Sequence, residues 1–283
     1  MRNACLGPLL LGVLVFGGGA STAIHLARPV LAEEANEGRL PDEDPELDAE
    51  AQREHEEKVD AIVDDLRREK NQEMVRERIR ALGAEKTRVA RDALIQYATR
   101  NKNHEFVSLA FDALSTMGSL KTLEFLCGRW GLESKNFLVQ FSAAEALGRT
   151  RDARAAEPLL DVMTGRRTKD KVVSACAIAV ARCAADDDLT IQVLLKYSEH
   201  RKDTIRAYVM EALGYLKDNE DAFFRLVEGL QEDRNTRVRE YAARGLGHTG
   251  NPDAIPVLRD AMQDERAHTV RTACAAAIRE IGG

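Results

Sequence analysis

Residues 233–262 read DRNTRVREYAARGLGHTGNPDAIPVLRDAM. The ten residues from Val238, VREYAARGLG, recur along the chain. The copies are VRTACAAAIR from Val270, IRAYVMEALG from Ile205, VVSACAIAVA from Val172, VQFSAAEALG from Val139 and FVSLAFDALS from Phe106, with MVRERIRALG from Met74 the weakest. Successive anchors lie 32, 33, 33, 33, 33 and 32 residues apart. A period held through every step marks a repeat architecture rather than a string of unrelated helices.

Within each copy, positions 0, +4, +7, +8 and +11 from the anchor are apolar or small. At about 100° per residue these positions share one face of an α-helix. Fourteen residues before each anchor from Val139 onward a second apolar pattern appears: FLC at Phe125, PLL at Pro158, IQV at Ile191, FRL at Phe224 and PVL at Pro256. Each unit therefore reads as helix, turn, helix. Neither helix alone could bury its apolar side, whereas stacked copies bury a continuous core, which predicts an all-α solenoid of about seven helix pairs. At about 8–10 Å per packed layer the stack would run to roughly 60 Å. Composition agrees: 44% of residues are hydrophobic but only 5% aromatic, and a core rich in Ala and Leu favours helix over sheet.

The N-terminal segment reads differently. Residues 1–32 place Arg2 before the run LGPLLLGVLVFGGGA, too short for a standard membrane span and suited to a secretory signal. Cleavage after Ala32 is preferred to cleavage after Ala20, because acidic chain begins at Glu33; an uncleaved anchor would be the one route to a membrane. Export to the periplasm or the medium follows as an expectation. Residues 33–46, EEANEGRLPDEDPE, are too polar to offset ordering entropy and read as an acidic linker. Residues 47–70 carry Leu47, Ala51, Val59, Ile62, Val63 and Leu66 on one stripe and read as a capping helix at the start of a solenoid spanning 47–283. Charge is local as well. Residues 33–70 hold 16 acids and 6 bases, Arg2 and Arg28 add two positive charges, and the total of −6 leaves residues 71–283 at +2. No broad basic face exists, so nucleic acid is not an expected partner.

The segments 233–262 and VQFSAAEALGRTRDARAAEPLLDVM (139–163) resemble short HEAT-type repeats, and more narrowly the group named after phycobilisome lyase repeats. The tetratricopeptide and ankyrin signatures are missing. The resemblance implies a scaffold that binds proteins, and in some members a chromophore-attachment or hydroxylase enzyme. The hydroxylase branch needs several His-Glu pairs on second helices; only His55-Glu56 and His104-Glu105 occur here, and His104 and His268 fall five repeats apart. No metal and no cofactor is expected.

Cys176 and Cys274 occupy the +4 slot held elsewhere by Ala110, Ala143 and Ala242. Cys183 takes the +11 slot, and Cys127 takes a first-helix slot filled by Leu160, Leu226 and Leu258. These are core positions, so buried free thiols are expected rather than a disulfide framework. Arg206, Arg239 and Arg271 recur at +1, with Asp233 and Asp264 a few residues before two of the anchors; this reads as a ladder tying one turn to the next, in preference to an anion-binding stripe. Gly148, Gly214 and Gly247 recur near second-helix ends and read as termination and close packing.

What remains is the face of the second helices turned away from the core. Positions +2, +6 and +10 put Phe141, Ile178 and Tyr215 on an apolar diagonal, flanked by Arg149, Arg182 and Arg244 and bordered by Tyr208 and Tyr241. Apolar surface rimmed by Arg and Tyr is the composition of a protein-binding patch. With no P-loop, serine elbow or paired-carboxylate motif in the sequence, the expectation is a non-enzymatic scaffold gripping a protein partner through these residues, with a bilin-lyase-like enzyme or chaperone, or a structural spacer, as alternatives.

Overall fold

A computed structural model describes residues 49–282, with side chains from Arg53 onward. The expected signal (1–32) and acidic linker (33–46) lie outside the described residues. Among those described there are fourteen α-helices and no strand. The first helices of successive pairs are α1 (Ala49–Arg68), α3 (Arg88–Arg100), α5 (Leu120–Cys127), α7 (Ala156–Thr164), α9 (Asp188–Tyr197), α11 (Glu220–Glu232) and α13 (Ala254–Asp264). Their partners are α2 (Gln72–Glu85), α4 (His104–Ser115), α6 (Phe137–Thr150), α8 (Asp170–Cys183), α10 (Asp203–Leu213), α12 (Thr236–Thr249) and α14 (His268–Gly282). Every second helix begins two residues before its sequence anchor, and the seven pairs form an all-α solenoid.

The starts are fixed by caps. Asn71, Asn103, Asn136 and Asn235 precede α2, α4, α6 and α12, and each side-chain oxygen accepts the amide of the residue two positions on, at 2.9–3.0 Å. A cap satisfies an amide that helix geometry leaves orphaned, at a gain of about 1 kcal/mol. These asparagines, present in four of the seven repeats, are a signal the periodicity alone does not draw attention to.

Consecutive second helices pack along their length, whereas consecutive first helices barely meet. A stack tight along one row and splayed along the other must curve, with the tight row inside, so the second helices line the concave side. Small residues permit the tightness. A Cβ on Gly214 would fall 2.4 Å from the Gly245 carbonyl oxygen of the next pair, and one on Gly148 would fall 2.9 Å from the Ala179 Cα. Termination is a role of Gly214 alone among the three glycines: α6 runs past Gly148 to Thr150, and α12 runs past Gly247 to Thr249, where Gly250 at φ 66° closes it.

The buried stripe follows the anchors closely. In α10, Ile205, Val209, Ala212 and Leu213 are buried, and in α12, Val238, Ala242 and Leu246. Two departures have local causes. In α2 the buried residues are Val75, Ile79, Leu82 and Gly83, one position later than Met74 predicts, because Arg78 and Glu85 occupy the expected slots. In two of the first helices the residue leading the apolar triplet is exposed, Phe224 and Pro256; Phe224 is 65% exposed, and Leu226 two positions on is the buried one. Trp130 is also exposed, with the Arg129 guanidinium 4.7 Å above its ring.

The four described cysteines are free thiols, Cys176, Cys183 and Cys274 buried and Cys127 half-buried. Burial pushes Cys127, Cys176 and Cys183 up to about 12 and Cys274 to about 11, so none is a thiolate near neutral pH. The arginine ladder exists in the last three pairs. Arg206 donates to Asp233 at 2.9 and 3.1 Å and to the His200 carbonyl at 2.9 Å. Arg239 donates to Glu265 at 2.7 and 3.1 Å, so the second acid is Glu265 and not Asp264. Arg271 reaches only carbonyls, those of Glu265 and Arg266.

Candidate binding groove on the concave face

Helix α8 is the floor of the groove. It is wedged among α6, α7 and α10, and four alanines and two cysteines in its fourteen residues let its neighbours close over it. Only Asp170, Lys171, Ile178 and Arg182 of this helix escape burial. The last three of these line a cavity of about 450 Å³ that also takes Phe141, Glu145 and Arg149 from α6, Tyr208 and Glu211 from α10 and Arg237 from α12. Ala175 and Ala179 complete an apolar base under Phe141 and Ile178.

Five of the eight sequence-predicted residues therefore meet at one cavity: Phe141, Ile178, Arg149, Arg182 and Tyr208. The diagonal is rearranged at its end. Position +2 of α10 is Ala207, wholly buried, so Tyr208 at +3 supplies that helix's share of the wall. Tyr215 does not line the cavity but anchors one that does: Arg182 Nη2 donates to its hydroxyl at 2.7 Å, and the guanidinium lies 4.8 Å from its ring centroid. Tyr241 packs edge to face on Tyr208 at 5.0 Å, and the Arg244 guanidinium lies 4.8 Å above Tyr241 while its fork is tied to Glu240. Four charged lining residues were not singled out in the sequence: Glu145, Lys171, Glu211 and Arg237. They fall outside the +2, +6 and +10 pattern or on a copy where only its other members drew notice.

The electrostatics are uneven. Arg149 is held by Asp112 of α4, and Arg237 Nη2 donates to the Tyr208 hydroxyl at 2.9 Å. Burial, reinforced by the neighbouring Tyr241 hydroxyl, pushes the Tyr208 phenol above its ordinary value, so it stays neutral beside Arg237. Burial raises Glu145, and Asp112 adds to that, against the opposing pull of Arg149. Glu211 is turned toward His248, whose Nε2 lies 3.9 Å away, while His248 Nδ1 lies 3.0 Å from Glu280 and its ring stacks on Tyr215 at 5.0 Å. The neighbouring Glu211 carboxylate raises His248 above its ordinary value; burial opposes this and Glu280 reinforces it. Among the described residues no group of three or more His, Cys, Asp or Glu is placed to hold a metal ion. His104 instead bonds the Leu138 carbonyl at 2.9 Å and the Ser142 hydroxyl at 3.2 Å, tying α4 to α6. No helix among the described residues is long and apolar enough to cross a membrane.

Comparison with known proteins places this geometry. The family described as HEAT repeats matches residues 188–279, and the family described as PBS lyase HEAT-like repeat matches residues 139–164. The solved complex of CpcE and CpcF of phycocyanin lyase from Nostoc sp. PCC7120 is similar at a TM-score of 0.50 and 18% identity, covering 89% of this chain and 100% of that one. Human deoxyhypusine hydroxylase in complex with glycerol aligns at a TM-score of 0.43 and 18% identity, over 82% of this chain and 98% of that one. No curated protein sequence matches the chain. These findings correct one expectation. The sequence reading expected a non-enzymatic protein, but residues 139–164 match a repeat family named for a lyase, so that expectation falls. On the repeats and on the stack they build, the chain is a HEAT-like repeat protein.

Proposed function

We propose that this HEAT-repeat solenoid is a client-binding scaffold of the lyase-like kind, gripping a segment of a partner protein in the groove over α8. The observation that carries this reading is that Ile178 and Phe141, half-buried, form the base of a cavity edged by Arg149, Lys171, Arg182 and Arg237. An apolar base with arginine and tyrosine at its margin is the arrangement of binding hot spots. A tightly stacked inner row presents that surface preformed, so little ordering is lost on the scaffold's side. Export directed by residues 1–32 belongs to the same proposal, and intact-mass analysis of the secreted chain checks it.

The groove is tested by affinity capture on the full chain, with the Phe141→Ala/Ile178→Ala double variant in parallel and Phe224→Ala as a control on an outer helix. We expect one protein to be retained by the wild type and the control and lost by the double variant. Equal retention by all three sinks the groove reading. The lyase-type repeat match supports a second reading, in which the same cavity holds a linear tetrapyrrole. Mixing the purified chain with such a pigment and recording the visible spectrum decides it: a shifted band absent in the Phe141→Ala/Ile178→Ala variant supports the reading, and an unshifted spectrum rejects it.

A further inference from the structure

The cavity's cations differ in what holds them. Arg149 is neutralised by Asp112, but Arg182 and Arg237 are steered by phenol hydroxyls at 2.7 and 2.9 Å, and neither of them nor Lys171 takes part in an ion pair among the described residues. A hydroxyl positions a guanidinium without cancelling its charge. Tyr215 and Tyr208 also offer ring faces 4.8 and 5.2 Å from the guanidinium carbons, which fixes the forks in place. The two acids of the lining are otherwise engaged, Glu145 beside Arg149 and Glu211 toward His248. Three cations outside any ion pair among the described residues, Arg182 and Arg237 of them pre-aimed, thus surround an apolar base of Phe141, Ala175 and Ile178.

That pairing selects the ligand's chemistry. Arginine forks held on a rigid support match carboxylates bidentately. Phe141 and Ile178 need an apolar group to cover them, so a purely ionic ligand leaves the base bare. Both forks rest on the α10 segment, Arg237 on Tyr208 and Arg182 on Tyr215, seven residues further on and so roughly 10 Å away along the helix direction. An extended chain advances about 3.3 Å per residue, so roughly three residues span that separation. Resting on the groove reading above, we propose that the occupant is an extended acidic segment of a partner protein, with carboxylates three residues apart and a bulky apolar residue between them.

Fluorescein-labelled peptides on the full chain test this by anisotropy at low and moderate salt. The probe is acetyl-Glu-Val-Thr-Glu-Val-Thr-Glu-amide, against one version with Lys for Glu and one with Ser for Val. The acidic, apolar peptide should bind at least tenfold more tightly than either relative and weaken as salt rises. Arg182→Gln/Arg237→Gln should weaken it by about tenfold or more, since each lost charge-assisted contact is worth more than a kilocalorie. Lys171→Glu, at an exposed position where folding is not at stake, should weaken it by a smaller factor. Matching helicity by circular dichroism verifies the folding of all variants. Equal affinity for the Lys peptide, undiminished binding by the arginine variant, or no binding of any peptide overturns the acidic-segment proposal. The groove reading stands or falls separately, on whether Phe141→Ala/Ile178→Ala loses its captured partner.

Discussion

Arg206 shows how much a single residue carries in this fold. Its side chain is 10% exposed, its acid partner Asp233 is 11% exposed, and its remaining donor satisfies the His200 carbonyl. Burial works to raise the Asp233 carboxyl, but hydrogen bonds from Arg206 and the Asn235 amide, with the Arg206 and Arg225 charges, hold it below the usual carboxylate range. Removing Arg206 leaves that charge buried and unpaired, which costs about 3 kcal/mol where a surface pair costs under about 1. Arg206→Ala should therefore lower the denaturant midpoint clearly while Lys202→Ala, whose pair with Asp170 is about half exposed, barely moves it. Comparable midpoints for the two variants would show that the ladder is not structural. At this scale the sequence was only partly legible. The +1 arginines and Asp233 were readable from spacing, but Glu265 rather than Asp264 takes the second rung, because one residue of turn geometry decides which carboxylate meets the fork.

Among elements, the controlling contact is the close approach of successive second helices. Gly214 faces the Gly245 backbone, and no rotamer can relieve a Cβ set 2.4 Å from a carbonyl oxygen. The two helices must separate to admit a methyl group, so Gly214→Ala should cost about 2–3 kcal/mol and lower Tm by about 4–10 °C. Gly282→Ala, with nothing within 4 Å, should leave Tm unchanged or slightly raised. A thermal melt of both checks this, and a neutral Gly214→Ala would mean that the stack tolerates a wider spacing than the contacts imply. Helix phase was readable wherever the apolar stripe was complete. It slipped by one residue in α2, and in the first helices a short apolar triplet could not say which of its members faces inward, as Phe224 demonstrates.

Across the whole molecule, a solenoid is held together pair by pair, so its stability is a sum of neighbour interfaces. His248 of α12 joins two of them, facing Glu211 of α10 and Tyr215 just beyond it on one side and Glu280 of α14 on the other. Its folded pKa is raised, so its stabilisation is complete below the unfolded value of about 6.5 and is lost as pH rises through the folded value. Tm should then fall from pH 6 to pH 8.5 more steeply for the wild type than for His248→Gln, and parallel slopes would remove His248 from the account. The sequence by itself determined the repeat, its register, the number of helix pairs and the burial of the cysteines, because each repeat meets only its neighbours and its hydrophobic period is written locally. Only the tertiary structure decided which outward residues share a cavity. It substituted Tyr208 for Tyr215 at the wall, brought Lys171, Glu211 and Arg237 into the lining, and gave Arg182 and Arg237 phenols in place of acids. Those outcomes depend on how neighbouring helices are set against one another, a geometry fixed by contacts between residues about one repeat apart and absent from the periodicity of any single helix.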